Sequence, residues 1–359
     1  MSDLMTLRVP GARLRIDARL GHVRSLAIEE GAHLLEPLHA APWLDDPDIQ
    51  ADDSLPMVER RLAGDFFCAP HGWGGDGLDY GGAANSVWEV AELVQSGQAA
   101  AARLRLTRTV QGAVIEKELR LRCGEPILYQ SHRLSGGEGA LPVANHPMLH
   151  LERGGRLCFS PKRGACTPDQ PLEPGRHWLD YPAAGSDLSA FPGRDGAVDL
   201  HRYPEAEQHE DMVALIEADG NALGWTAVIR EAEDDIVFVL KDPAVLPVTL
   251  LWYSNGGRIE RPFNGRHRRV LGIADGCTAG GADRALDGAG VATHLTLGPG
   301  REHVVRHAIG AVRRPRGWMC IADVAVAAGT LTLTEAGGET LHLPFDAGFF
   351  SSARAKAFA

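Results

Sequence analysis

Two histidines four residues apart interrupt an otherwise apolar run, LPVANHPMLHL, at positions 141–151. His146 and His150 stand out because an imidazole titrates near neutrality and can give or take a proton, or bind a metal, at working pH. In an extended strand, residues 146, 148 and 150 point to one face, so both rings would look into the same space. The plain alternative is a pair of hydrogen-bonded core histidines. Carboxylates that could complete an acid–base pair occur at Glu210 and Asp211, beside His209 in EQHEDMVALIE, at Glu260 just after Arg258, and at Asp275. A single acid of this kind is more often a solvated surface group. A metal-dependent hydrolase using His146, His150 and His209 is a further reading, but it lacks a tight ligand motif such as HExxH.

Two long segments would surround these groups. CAPHGWGGDGLDYGGAANSVWEV (68–90) carries His71, Trp73, Tyr80 and Asn85; SNGGRIERPFNGRHRRVLGIADGC (254–277) carries Arg258, Glu260 and His267, and Trp252 lies just before it. Aromatic plates among amide, guanidinium and carboxylate groups, held on loops over a rigid sheet, suit a small polar ligand. A sugar is one such ligand: it offers a C–H face to an aromatic ring and paired hydroxyls to planar polar groups. Arginines around His267 would also suit an acidic or phosphorylated sugar.

The elements that must position these residues read as strands. ARLRLTRTV (102–110) and AVIEKELRLR (113–122) alternate apolar and polar residues about a Gln-Gly turn and form an expected hairpin. DDIVFVLKDP, PVTLLWYS, THLTLGPG and HVVRHAIGAV are further strands between Gly, Pro and Asp turns, and GTLTLTEAGGETLHLPF is a second hairpin. Helical periodicity is scarce, and 42 glycines and 22 prolines break what there is. The expectation is an all-β chain: a large antiparallel β-sandwich with few helices. The basic, proline-containing VRRPRG marks the expected boundary, with 1–312 as one sandwich domain and 313–359 as an appended strand pair packed on it.

Acidic residues outnumber basic ones, 47 to 36, which disfavours nucleic acid or an anionic membrane surface as partner. No apolar run is long enough to span a bilayer, and the opening residues lack the pattern of an export signal. Six cysteines without a CxxC pair read as reduced thiols, so a cytoplasmic location is expected.

Four collinear segments, GDFFCAPHG, YGGAANSVWEV, LPVANHPMLHL and LLWYSNGGR leading to VLGIADGC, together resemble the aldose 1-epimerase (galactose mutarotase) family. The resemblance covers most of the chain up to about Val312. It implies a large β-sandwich with a shallow sugar cleft and no cofactor or metal. The implied activity interconverts the anomers of a monosaccharide or sugar derivative by acid–base ring opening in carbohydrate metabolism. The alternative is a sugar-binding or sensor relative without turnover. The implied partner is a small sugar, in a monomer or a dimer. Residue by residue, Asn145-His146 matches the strand motif bearing the family's acid histidine. His150 stands where an asparagine is frequent, and Tyr80 where a second histidine would help hold the ring. Asp211 approximates a sugar-binding aspartate, and Leu251 occupies a position that is often glutamine. The catalytic glutamate is replaced by Ala274, which leaves Asp275 and Glu260 as candidate bases. His71, Tyr80, Asn85, His150, Asp211, Trp252 and Arg258 are the expected sugar contacts.

Overall fold

The computed structural model describes residues 4–72, 80–203, 208–287 and 289–351. Trp73 lies outside them. Strands dominate, and the described helices have only four or five residues each. The fold is an all-β sandwich.

Two large antiparallel sheets form its body. The nine-stranded sheet runs Arg202–Tyr203, Gly155–Phe159, Gly224–Arg230, Asp235–Lys241, Glu302–Arg313, Ile127–Gly136, Ala113–Arg122, Ala99–Leu106, Trp88–Gln95. The hairpin expected at 102–122 lies next to the edge strand Trp88–Gln95: Ala99–Leu106 pairs with Ala113–Arg122. Along Ala113–Arg122 buried and half-buried residues alternate without a break, because this strand faces the core on one side and is partly exposed on the other.

The eight-stranded sheet runs Ala184–Gly185, Lys162–Cys166, His209–Glu217, Val248–Asn255, Val270–Cys277, Val143–Asn145, Phe67–Cys68, and Met148–His150 also pairs with Val270–Cys277. All eight residues of both Val248–Asn255 and Val270–Cys277 are buried, so no wet face exists here. Alternate residues serve two cores. Val213, Leu215, Leu251, Leu271 and Ile273 join the core between the sheets. Ala214, Leu250, Trp252, Val270 and Ala274 join a second core, roofed by Trp43, Ile49, Val58, Leu62 and Phe66 from the 41–66 segment and by Phe263. The candidate site lies in that second core.

A four-stranded sheet, Leu4–Val9 to His33–Leu35, packs at one end. The strand Glu302–Arg313 ends where the basic break begins. The segment after it forms three strands rather than two, Ile321–Ala327, Thr330–Glu335 and Thr340–Pro344. Their apolar residues, with Trp318, Phe345 and Phe349, share a third core with Ile127, Tyr129, Trp225 and Phe238 of the nine-stranded sheet.

Candidate functional site

Four neighbouring strands lay the floor of one cavity. Register sets the row: Met212 pairs with Trp252, Trp252 with Gly272, and Leu250 with Ala274. Asn145 pairs with Asp275 and Met148 with Gly272 in the same register, which places His146 directly opposite Ala274. The cavity, about 80 Å³ and partly open to solvent, is bounded by His71, Gly72, Tyr80, Leu172, Arg258, Glu260 and Gly280. At roughly 10–15 Å³ per water on this measure, it is room for several waters.

His146 is 3 % exposed and lines this cavity. Pro147 separates Val143–Asn145 from Met148–His150, and the His146 N–H donates to the Phe66 carbonyl (3.0 Å) and to Asp65 Oδ1 (2.8 Å). Asp65 is itself fixed by Gln130 Nε2 at 2.5 Å. Phe66 stacks on the imidazole (5.0 Å between centroids), and Tyr80 and Trp252 meet it edge-on at 5.5 and 5.9 Å. Gly272 leaves the space this requires: a Cβ there would lie 3.1 Å from both His146 Cε1 and Trp252 Cβ. Tyr80 holds a left-handed backbone, φ 63°, a conformation uncommon for a bulky side chain and worth noting beside a cavity. Burial pushes His146 down to about 4, and burial with the neighbouring His146 pushes His71 down to about 3, so both rings are neutral at pH 7. His71 Nδ1 shares a hydrogen bond with Thr278 Oγ1 at 3.0 Å.

Arg258 stands at the rim among carboxyl groups. Its Nε and Nη2 donate to Glu260 Oε1 (2.9 and 2.7 Å), and its face lies 3.9 Å from the Phe263 centroid. Glu59 Oε1 is 3.7 Å from Nη1 and Glu173 Oε1 is 4.0 Å from Nε. Burial, and then the hydrogen bond with Glu260, lift Glu173 to about 7. Against its own burial, Arg258 holds Glu260 below the usual range. The two carboxyls therefore share one proton near neutrality, since two charges cannot sit together cheaply. Behind Trp252, burial raises Glu210 to about 8; it accepts the indole N–H at 2.6 Å and the Arg258 backbone N–H at 3.4 Å.

Of the expected residues, the cavity gathers His71, Tyr80, His146, Trp252, Arg258 and Glu260. Four stand elsewhere. Asp275 points into the space between the sheets, where Lys241 (3.0 Å), His307 (3.0 Å) and Thr249 (2.6 Å) surround it; against burial, these partners hold it well below its usual value. It cannot act as a base on this cavity. Asp211 faces the same inner side and accepts from the Trp178 and Leu179 backbone N–H groups and the Tyr181 hydroxyl. Asn85 ties two short helices together, accepting from Val58 N–H and donating to the Gly81 carbonyl. His150 shares the face of His146 but sits further along, paired with Glu152 at 3.1 Å and stacked at 6.0 Å on His39. His209 contacts Trp178 and Asp211, so the three histidines of the metal reading occupy separate surroundings. Among the described residues, no group of three metal-capable side chains occurs.

The sequence reading passed over Glu173, Leu172, Met212 and Leu250, and named Glu210 only beside Asp211 as a candidate carboxylate. Met212 and Leu250 were accessible in principle, since each alternates with a residue on the inner side, but choosing the face required the sheet order. Glu173 sits in a Pro-rich stretch with no periodicity to mark it.

Solved structures share this architecture. A proposed aldose 1-epimerase from Klebsiella pneumoniae subsp. pneumoniae is 17 % identical, with 85 % of this chain and 77 % of that one covered and a TM-score of 0.57. A proposed aldose 1-epimerase from Escherichia coli K12 is 12 % identical, with 86 % and 99 % covered and a TM-score of 0.58. A galactose mutarotase-like protein from Clostridium acetobutylicum is 13 % identical, with 86 % and 95 % covered and a TM-score of 0.56. The chain has the galactose mutarotase-like fold. At these identities it is a divergent example, and neither a family model nor a curated protein sequence matches it. Within that mutarotase-like sandwich the His146 cavity lies on the outer side of the eight-stranded sheet, under the 41–66 segment. No described helix is long and apolar enough to cross a membrane.

Proposed function

We propose that this mutarotase-like protein binds a monosaccharide in the His146 cavity and interconverts its anomers. The observation that carries the reading is the pairing, around one cavity, of a neutral buried imidazole with a carboxyl pair that holds one proton. Ring opening needs a base for the anomeric hydroxyl and an acid for the ring oxygen. At pH 7 His146 is neutral and the Glu173–Glu260 pair retains much of its proton. The donor role that the sequence resemblance implies for His146 therefore passes to the carboxyl pair, and His146 is the acceptor. His146 takes the anomeric hydroxyl proton as Glu260, which lines the cavity and is hydrogen-bonded to Glu173, delivers one to the ring oxygen. The ring C–O bond breaks, a carbonyl forms, and the open chain rotates about the adjacent bond. Reclosure on the other face returns both protons. Groups whose environments push their pKa values apart are suited to this division of labour. Trp252 and Phe66 would hold His146 and the ring plane, and Tyr80 would close over them.

Saturation-transfer NMR of anomer exchange over a panel of aldoses tests the proposal. His146→Ala and Glu260→Gln should each lower the rate about a hundred-fold or more, within the range of a positioned acid or base. Unchanged rates in both variants would remove these residues from the chemistry. The second reading, a sugar-binding relative without turnover, draws on Ala274, which sets a methyl group opposite His146 where the resemblance implies a glutamate. Binding without measurable exchange in the unaltered protein would select it.

A further inference from the structure

The chemistry of the cavity wall narrows the ligand, on the proposed reading that the ligand is a sugar. Leu172, Met212, Leu250, Trp252 and Ala274 make up most of the floor and one side. The polar groups among them are largely committed. The Trp252 indole N–H is held by Glu210 and the guanidinium of Arg258 by Glu260. His146 lines the cavity beside His71, Tyr80 and Glu260, its Nδ1 buried and, among the described residues, without a hydrogen-bond partner. A hydroxyl turned toward Leu172, Met212 and Leu250 would give up its water hydrogen bonds and find none in return. A methyl group in the same place would gain burial.

Charge narrows it further. A phosphate or carboxylate needs a cation with free donors. Arg258 has three carboxyl groups within 4.0 Å and an aromatic ring across its face, and the two histidines of the wall are neutral at pH 7. The arginine-flanked His267, which suggested an acidic ligand from sequence, is 1 % exposed and packs against Trp252 at 5.0 Å.

We propose that the cavity takes an uncharged sugar bearing a methyl group where the common hexose carries its hydroxymethyl group, a deoxy sugar of the 6-deoxyhexose class. The apolar wall receives the methyl group, and His146 and the carboxyl pair meet the anomeric centre.

Isothermal calorimetry at pH 7 with the full chain tests this. The probes are 6-deoxygalactose against galactose, 6-deoxymannose against mannose, galacturonate and galactose 6-phosphate. At least one deoxy sugar should bind about tenfold or more tighter than its parent, as expected for a methyl group in an apolar pocket, with both anions weaker than the parents. Leu172→Asn, on a half-buried loop residue, should shrink that preference; if the variant does not fold, the unaltered protein's panel decides alone. Parent hexoses binding as tightly as their deoxy counterparts, or either anion binding as tightly, would overturn the assignment while leaving a sugar site intact. Failure of every sugar to bind would instead bring down the sugar reading on which it rests.

Discussion

His146 is held near 4 and Glu173 near 7 by the same force, burial, acting on groups of opposite charge type. The sign of each effect on turnover follows. Below about pH 4 the imidazole is protonated and cannot accept; above about pH 7 the carboxyl pair has lost the proton it must give. The kcat/KM for anomer exchange should therefore be flat between these values. It should fall about tenfold per pH unit on either side, and Glu173→Gln should abolish or displace the upper limb. A profile that climbs steadily through pH 8 would contradict the assignment. Asn145-His146 in its collinear context marks His146 as a candidate, and it lines the cavity. Its titration was not readable there, because Phe66, Tyr80 and Trp252 reach it from distant parts of the chain.

At the scale of strands, alternation was legible and its meaning was not. Asp211 and Asp275 were plausible site acids in sequence, yet each lies one residue out of phase with the cavity: Met212 and Ala274 face it, while the acids face the opposite sheet. One step along a strand reverses the side chain. The inner face instead carries a charged cluster. Lys241, 1 % exposed, lies 3.0 Å from Asp275 and 3.2 Å from Glu217 and donates to the Val248 carbonyl. Lys162 bonds Glu217 from the neighbouring strand. Lys241→Met would keep the volume and strand both carboxylates. Urea unfolding should register a loss of about 3–5 kcal/mol, the usual cost of breaking a buried pair on one side. A loss within experimental error would mean that Lys162 and His307 suffice for the two acids.

At the scale of the molecule, the three-stranded C-terminal sheet covers apolar residues of the nine-stranded one. Trp318, 2 % exposed and bonded through its indole N–H to Glu339 at 2.8 Å, is packed into that interface with Ile321 and Leu331. Trp318→Ala should cost about 3–5 kcal/mol in guanidinium unfolding with one cooperative transition retained. Two separate transitions would mean that the segment after Arg316 melts independently. By itself the sequence determined the all-β class, two hairpins and, through four collinear segments, the mutarotase-like fold. These are legible because alternation and turn residues act over a few neighbours and survive divergence. The tertiary structure alone decided which strand faces look into the cavity, that Glu173 meets Glu260 at Arg258, and that Asp275 belongs to the interior. Those facts depend on sheet order and register, which join residues as far apart as 59 and 258 and which no local pattern encodes.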